Sequence, residues 1–216
     1  MLDQRQTCYS CYRPMLTCMC KYINKISSNT KFILLMHPKE FRKTKNGSGH
    51  FTHKSLENSE IHIGIDFTAN KRINELIDDT NNACYILYPG HESLLLNKNK
   101  PQENKNLVLF LIDSTWACSK KMLRVSKNLA RLPRMSFTHN KSSQFIFKTQ
   151  PAHYCLSTME STLCILELLN IHGIENIKNK ELEGFLEPFT QMVKYQVKCI
   201  PNNEIRYKEP FKKSSV

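Results

Sequence analysis

What this chain has little of narrows it first. Glycine occurs only six times in 216 residues, and no glycine-rich phosphate loop opens any helix, which removes the P-loop and dinucleotide-binding fingerprints. There is no GxSxG elbow, no HExxH pair and no kinase signature set, so those hydrolase, metalloprotease and kinase chemistries fall away. No apolar run is long enough to span a bilayer. The opening residues, Met1-Leu2-Asp3-Gln4-Arg5, lack the apolar core of a signal peptide, so cytoplasm is the expected location and a membrane is not an expected partner. Acidic residues are scarce: 19 Asp plus Glu stand against 31 Lys plus Arg, a formal charge of +12. That imbalance favours a polyanion, nucleic acid first. Many lysines sit among asparagines in loops, so charge alone favours it only modestly.

What is there is a globular composition, 40% hydrophobic and 23% charged, with length for one sizeable core. Of nine cysteines, four cluster as Cys8, Cys11, Cys18 and Cys20. With no export signal, a reduced compartment and metal ligation fit this better than disulfides. The first pair, two residues apart, can reach one tetrahedral ion from a tight turn, and the second pair can close the shell. Four thiolates are a common structural zinc set with no open position. A coincidental thiol cluster, or a redox pair at Cys8 and Cys11, is the competing reading. Residues 1–25 thus read as a small zinc module and 26–216 as the main domain.

The main domain is organised around Val108-Leu109-Phe110-Leu111-Ile112-Asp113-Ser114-Thr115-Trp116. The apolar run predicts a strand buried on both faces. It ends at Asp113, and hydroxyl residues able to cap a helix follow. One long helix is predicted behind them, with Cys118, Met122, Val125, Leu129 and Leu132 on one face and Lys120, Arg124, Lys127 and Arg131 on the other. A carboxylate at the carboxyl end of a buried strand is where ligands bind in open α/β sheets.

Further strands are predicted at Lys31–His37, Glu60–Asp66 and Ala83–Tyr88, the last ending at Pro89-Gly90. Lys45 to His50 reads as a loop by its Gly/Asn/Ser content, and His37, His50 and His53 read as surface or capping residues. Asn70 should cap a helix over Lys71–Asp78. Ser157 with Glu160 three residues later forms a capping box for an apolar helix over 161–169 that ends near Gly173. A last helix is predicted from Glu181 to Val197. Strands and helices alternate, which implies a mostly parallel sheet flanked by helices. On the residues alone the chain is a basic α/β protein with a structural zinc and a carboxylate-bearing crevice.

At Asp113-Ser114-Thr115-Trp116 the chain resembles the DTW-domain family, whose members include tRNA-uridine aminocarboxypropyltransferases. The cysteine set with Arg13-Pro14 is similar to that family's N-terminal module. His37-Pro38-Lys39-Glu40, Tyr88-Pro89-Gly90, Lys120-Lys121-Met122 and Leu156-Ser157-Thr158-Met159-Glu160 match its other segments in order. Ser114 stands where glycine is usual, Lys45 to Gly49 replaces an Asn-Thr pair, and Phe145-Ile146-Phe147-Lys148 replaces Tyr-Arg-x-Arg. The resemblance implies a SPOUT-like fold, a class with some knotted members. It also implies transfer of the 3-amino-3-carboxypropyl group of S-adenosylmethionine to N3 of a tRNA uridine, releasing methylthioadenosine.

Under that reading Asp113 is the candidate base for the weakly acidic N3–H; orienting the donor's amino group and capping the basic helix are its alternatives. Trp116 would stack on adenine, base or sulfonium. Tyr88, Pro89, Gly90, Thr115, Leu156, Ser157, Thr158 and Glu160 complete the expected donor site, with backbone N–H groups offered by the 89–90 turn and the 157–158 helix start. Lys120, Lys121, Arg124, Lys127 and Arg131 would meet RNA phosphates. An S-adenosylmethionine-dependent methyltransferase and a non-catalytic zinc-containing RNA-binding protein are the rival functions.

Overall fold

The computed structural model describes residues 6–43, 47–141, 143–144 and 155–199. The Phe145–Lys148 segment and the basic tail lie outside the described residues. Six strands form one sheet: β1 (Lys31–Met36), β2 (Ser59–Ile63), β3 (Asn82–Leu87), β4 (Leu94–Leu95), β5 (Asn106–Asp113) and β6 (Arg134–Ser136), in the order β2-β1-β5-β3-β6-β4. Every pairing is parallel, so all strands end on one edge.

β5 is central because its apolar run serves both faces. Leu107, Leu109 and Leu111 join Phe32 and Leu34 in the core beneath α6 (Thr158–Ile171), α7 (Asn179–Phe185) and α8 (Glu187–Lys198). Val108 and Phe110 join Ile33 and Leu35 under α3 (Lys71–Asp78) and α4 (Trp116–Val125). Period-two alternation buried on both sides accounts for the uninterrupted hydrophobic run. Each fully buried Leu or Phe contributes about 1.5–3 kcal/mol. α1 (Pro38–Lys43) and α2 (Ser48–Ser55) follow β1 directly. The cysteine module is tied to this body by Met19, which is buried in the α6 core, and by the Ile26–Leu56 bridge. Among the described residues no helix is long and apolar enough to cross a membrane.

The caps stand where the sequence places them. Asn70 accepts from the Ile73 N–H at 3.0 Å, Ser157 and Glu160 make the reciprocal capping box, and Gly173 takes φ +71° after α6, a left-handed turn suited to glycine.

Three expectations are corrected. The segment read as a loop to His50 already contains the start of α2 at Ser48; neither Gly47 nor Gly49 has positive φ, and Gly49 serves close packing. Of the histidines read as surface or capping, His37 is a cap: it is buried and its Nδ1 accepts from the Lys39 N–H at 3.1 Å. The single basic helix is broken at Ser126 into α4 and α5 (Lys127–Ala130). The fully buried Ser126 hydroxyl accepts from the Phe67 N–H at 3.0 Å and donates to the Ile65 carbonyl at 3.4 Å, so its side chain holds the β2–α3 loop while its backbone N–H closes α4 on the Met122 carbonyl at 3.0 Å. The last helix is likewise two, α7 and α8, because Pro188 has no N–H to continue the ladder.

Ser126→Ala strands the buried Phe67 N–H and should cost about 1–3 kcal/mol, read from the urea unfolding midpoint. A second prediction concerns acid. Glu60 on edge strand β2 accepts from Arg72 at 2.9 and 3.2 Å, from Lys31 at 3.3 Å and contacts His62 at 3.2 Å. The Arg72 guanidinium chiefly holds its carboxyl down at about 2, against an ordinary 4.5. A depressed carboxyl stabilises fully above the ordinary value and loses that contribution as pH falls towards the folded one. The stability gap between the unaltered protein and Glu60→Gln, about 1 kcal/mol at neutral pH after solvent screening, should therefore close between pH 4.5 and 2 in denaturant titrations.

Candidate active site

Asp113 is the last residue of β5, in register with Met36 of β1. Alternation puts its side chain on the α2/α6 face, and 8% of it is exposed. Its Oδ1 accepts from the Thr158 hydroxyl at 2.6 Å. A Cβ on Gly49 would lie 2.6 Å from the Asp113 Cγ and 3.0 Å from Met36 Cε, so only glycine lets α2 approach this carboxylate. Thr158 is the first residue of α6 and Gly49 the second of α2. The buried anion therefore sits at two helix N-termini, where unpaired N–H groups and the helix dipole favour negative charge. Asp113 does not cap the helix behind it: Thr115 does, accepting from the Cys118 N–H at 3.4 Å.

Beside this carboxylate a cavity of about 380 Å³ opens at the strand ends. Its walls come from four directions: Leu87 to Pro89 at the end of β3, Leu111, Ile112 and Ser114 at the end of β5 with Trp116 and Ser119 on α4, Met135 to His139 along and after β6, and Cys155, Leu156, Thr158 and Ser161 at the start of α6. Trp116, 39% exposed, meets Tyr88 edge-on with ring centroids 5.9 Å apart. Of the residues singled out from the sequence, Tyr88, Pro89, Trp116, Leu156 and Thr158 line the cavity. Asp113, Gly90, Thr115, Ser157 and Glu160 do not. Asp113 is joined to it through the Thr158 hydroxyl.

Ser157 and Glu160 build the α6 start. The Glu160 carboxylate accepts from the Ser157 N–H at 2.8 Å, the Ser143 hydroxyl at 2.8 Å and the Gln144 N–H at 2.6 Å, closing the loop onto the helix. The sequence reading missed Ser119, Ser161 and the Phe137–His139 wall. Ser119 and Ser161 lie one turn beyond Trp116 and Thr158, so the i,i+3 spacing from each helix start was the available signal. Lys120, Lys121, Arg124, Lys127 and Arg131 are all exposed, the first three on α4, Lys127 on α5 and Arg131 at its end.

The four N-terminal cysteines converge, with their sulfurs within 4.8 Å of one another and two separations of 3.6 and 3.9 Å. A tetrahedral zinc with bonds of about 2.3 Å needs sulfurs about 3.8 Å apart. The backbone N–H groups of Cys11 and Ser10 pull the Cys8 thiol down to about 6, while burial pushes Cys11 up to about 12. Tyr12 turns the chain back with φ +55° and donates to the Cys8 carbonyl at 2.7 Å. Arg13 is buried, its Nη1 and Nη2 have no hydrogen-bond partner among the described residues, and its guanidinium lies 5.7 Å over the Phe51 ring of α2. Burial pushes its pKa down, and charged sulfurs of Cys11, Cys20 and Cys18 oppose that. A buried cation with unspent donors fits a thiolate shell that carries net negative charge around a divalent metal.

A family model described as DTW domain matches residues 5–197. The chain is 25% identical over 203 residues to a tRNA-uridine aminocarboxypropyltransferase 2 from Mus musculus, covering 90% of this chain and 65% of the relative. It is 25% identical over 205 residues to the enzyme of the same name from Drosophila melanogaster, covering 90% and 76%. It is 25% identical over 225 residues to tRNA-uridine aminocarboxypropyltransferase A from Arabidopsis thaliana, covering 91% and 83%. The chain thus spans about two thirds of the mouse relative's length.

Arg13→Gln should weaken zinc retention 10- to 100-fold, the usual effect of removing a group that supports metal ligands; competition with a chromogenic chelator measures it.

Proposed function

The chain belongs to the DTW-domain family, and from that membership and the geometry of the crevice we propose that it is a tRNA-modifying transferase. It moves the 3-amino-3-carboxypropyl group of S-adenosylmethionine to N3 of a uridine. The observation that carries this reading is the cavity of about 380 Å³, within the roughly 300–1,000 Å³ of small-molecule sites. An aromatic pair stands on one side and the Thr158–Asp113 hydrogen bond on the other. The names of the mouse, fly and plant relatives support the same reaction.

The sulfonium already activates the carbon, so the protein's work is placement and proton removal. Tyr88 and Trp116 offer ring faces to the donor. Leu156 and Pro89 close its apolar sides, and the turn at Gly90 and the cap at Ser157 hold those walls, as Thr115 and Glu160 hold theirs. The uridine N3 proton passes to the Thr158 hydroxyl as that hydroxyl's own proton passes to Asp113. The N3–carbon bond then forms as the carbon–sulfur bond breaks, and its electron pair leaves on sulfur as methylthioadenosine. Residues 1–25 act as a structural module, with zinc on Cys8, Cys11, Cys18 and Cys20. All nine cysteines are free, which suits a reducing compartment such as the cytoplasm. Lys120, Lys121, Arg124, Lys127 and Arg131 face the RNA.

The test is nucleoside mass spectrometry of tRNA from cells with and without the protein, beside product analysis in vitro. Aminocarboxypropyl-uridine in tRNA and methylthioadenosine in the reaction are expected. Asp113→Asn, which keeps shape but not basicity, should lower kcat at least 100-fold, the lower end of what a positioned base contributes. Release of S-adenosylhomocysteine would mark a methyltransferase instead, and an unchanged uridine profile would exclude catalysis on tRNA.

A further inference from the structure

A second cavity of about 380 Å³ shares Tyr88 with the first. Tyr88, Leu123 and Leu129 line it together with three cations, Lys120, Arg124 and Arg134. Three local features bring these together. Lys120 and Arg124 are one turn apart on α4. Arg134 opens β6, whose pairing with Ile86 of β3 sets it beside the strand that leads to Tyr88. Gly90 then makes room, since a Cβ there would lie 2.7 Å from Arg134 Nη1 and 3.3 Å from its Cδ. The guanidinium rests 5.5 Å over the Tyr88 ring.

No carboxylate lines this cavity. Among the described residues none of its three cations is in an ion pair, whereas Lys31 and Arg72 hold Glu60, Lys100 holds Glu103 and Lys141 holds Glu167. Like charges one helical turn apart repel, so a convergent set without a counter-charge is complementary to an anion. Stacking on Tyr88 occupies one face of the guanidinium and leaves its planar donors for that anion, the geometry that suits a phosphate. Tyr88 lines both cavities, so one residue adjoins both whatever sits here and the proposed donor.

We propose that the cavity of Lys120, Arg124 and Arg134 binds the RNA phosphodiester flanking the target uridine, with the Tyr88 ring as the partition between strand and donor. The inference rests on the tRNA transfer proposed above. It makes Arg134, which the sequence reading did not single out, a substrate-binding residue. It also separates Lys120 and Arg124, which share a built pocket, from Lys121, Lys127 and Arg131, which do not line it.

The experiment measures binding of the full chain to an unmodified tRNA transcript across a salt series, with S-adenosylmethionine affinity measured separately by calorimetry. Arg134 is exposed, so Arg134→Gln removes no buried packing. It should weaken tRNA binding about tenfold and make the slope of log affinity against log salt shallower by about 0.7–0.9, the loss of one phosphate contact. Donor affinity should stay unchanged. Arg134→Lys should keep the slope and lose part of the affinity, because the charge remains without the planar fork. Lys100→Gln, a charge loss away from the cavity, should leave the slope as it is. An unaltered slope in Arg134→Gln, an equal change in Lys100→Gln, or a parallel loss of donor affinity each overturns the assignment while leaving the transferase standing. If the unaltered protein neither binds nor modifies tRNA, the transferase reading fails and takes this one with it.

Discussion

The hydrogen bond from the Thr158 hydroxyl to the Asp113 carboxylate, 2.6 Å long and nearly out of solvent, is the contact on which the site depends. It joins the central strand to the first residue of the longest helix. A buried carboxylate is costly unless its charge is met. Here the positive ends of α2 and α6 and one hydroxyl meet it. Because helix starts are fixed by their caps, the carboxylate in turn fixes where the two helices stand relative to the sheet. The crevice between α6 and the strand ends follows from that placement.

Charge and apolar surface are then divided by one ring. The cavity that Thr158 lines is apolar and hydroxylic apart from His139; the one that Arg134 lines carries three cations with no ion pair among the described residues. Tyr88 can serve both because its edge-on contact with Trp116 and its face under Arg134 use different parts of the same π-system. A parallel sheet makes this arrangement available, since loops after β3, β5 and β6 all emerge at one edge.

Much of this was legible in the sequence, for identifiable reasons. Three strands showed as apolar runs because a sheet covered on both faces needs them, the edge strand β2 showed as alternation, and the capping box at Ser157 and the cap at Asn70 are short-range signals that local chemistry alone decides. The elements that were not legible depend on distant partners. Ser126 ends α4 because the Phe67 N–H requires its hydroxyl, and no local pattern announces that. Gly49 looks like a loop residue, yet it is helical and small because Asp113, 64 positions later in the chain, occupies the space its side chain would take. Asp113 was legible as a carboxylate at a strand end. That it stands behind Thr158 instead of in the cavity, although Leu111 on the same face of β5 lines it, is decided by the start of α6, far along the chain.

Gly49 also explains how the four-cysteine module can matter to the Asp113 site. α2 is only eight residues long. Near its start Gly49 abuts Asp113, and two residues on Phe51 lies beneath the Arg13 guanidinium. Lys54, near its end, donates to the Ser10 carbonyl at 2.7 Å, inside the turn between the first two cysteines. A helix this short is marginal by propensity alone, so its position is set by what it packs against. Four sulfurs with no open coordination position have no chemistry to offer the substrate. What they supply is a fixed point for Arg13 and Ser10, hence for α2, and through Gly49 for the backbone wall that keeps the Asp113 carboxylate turned towards Thr158.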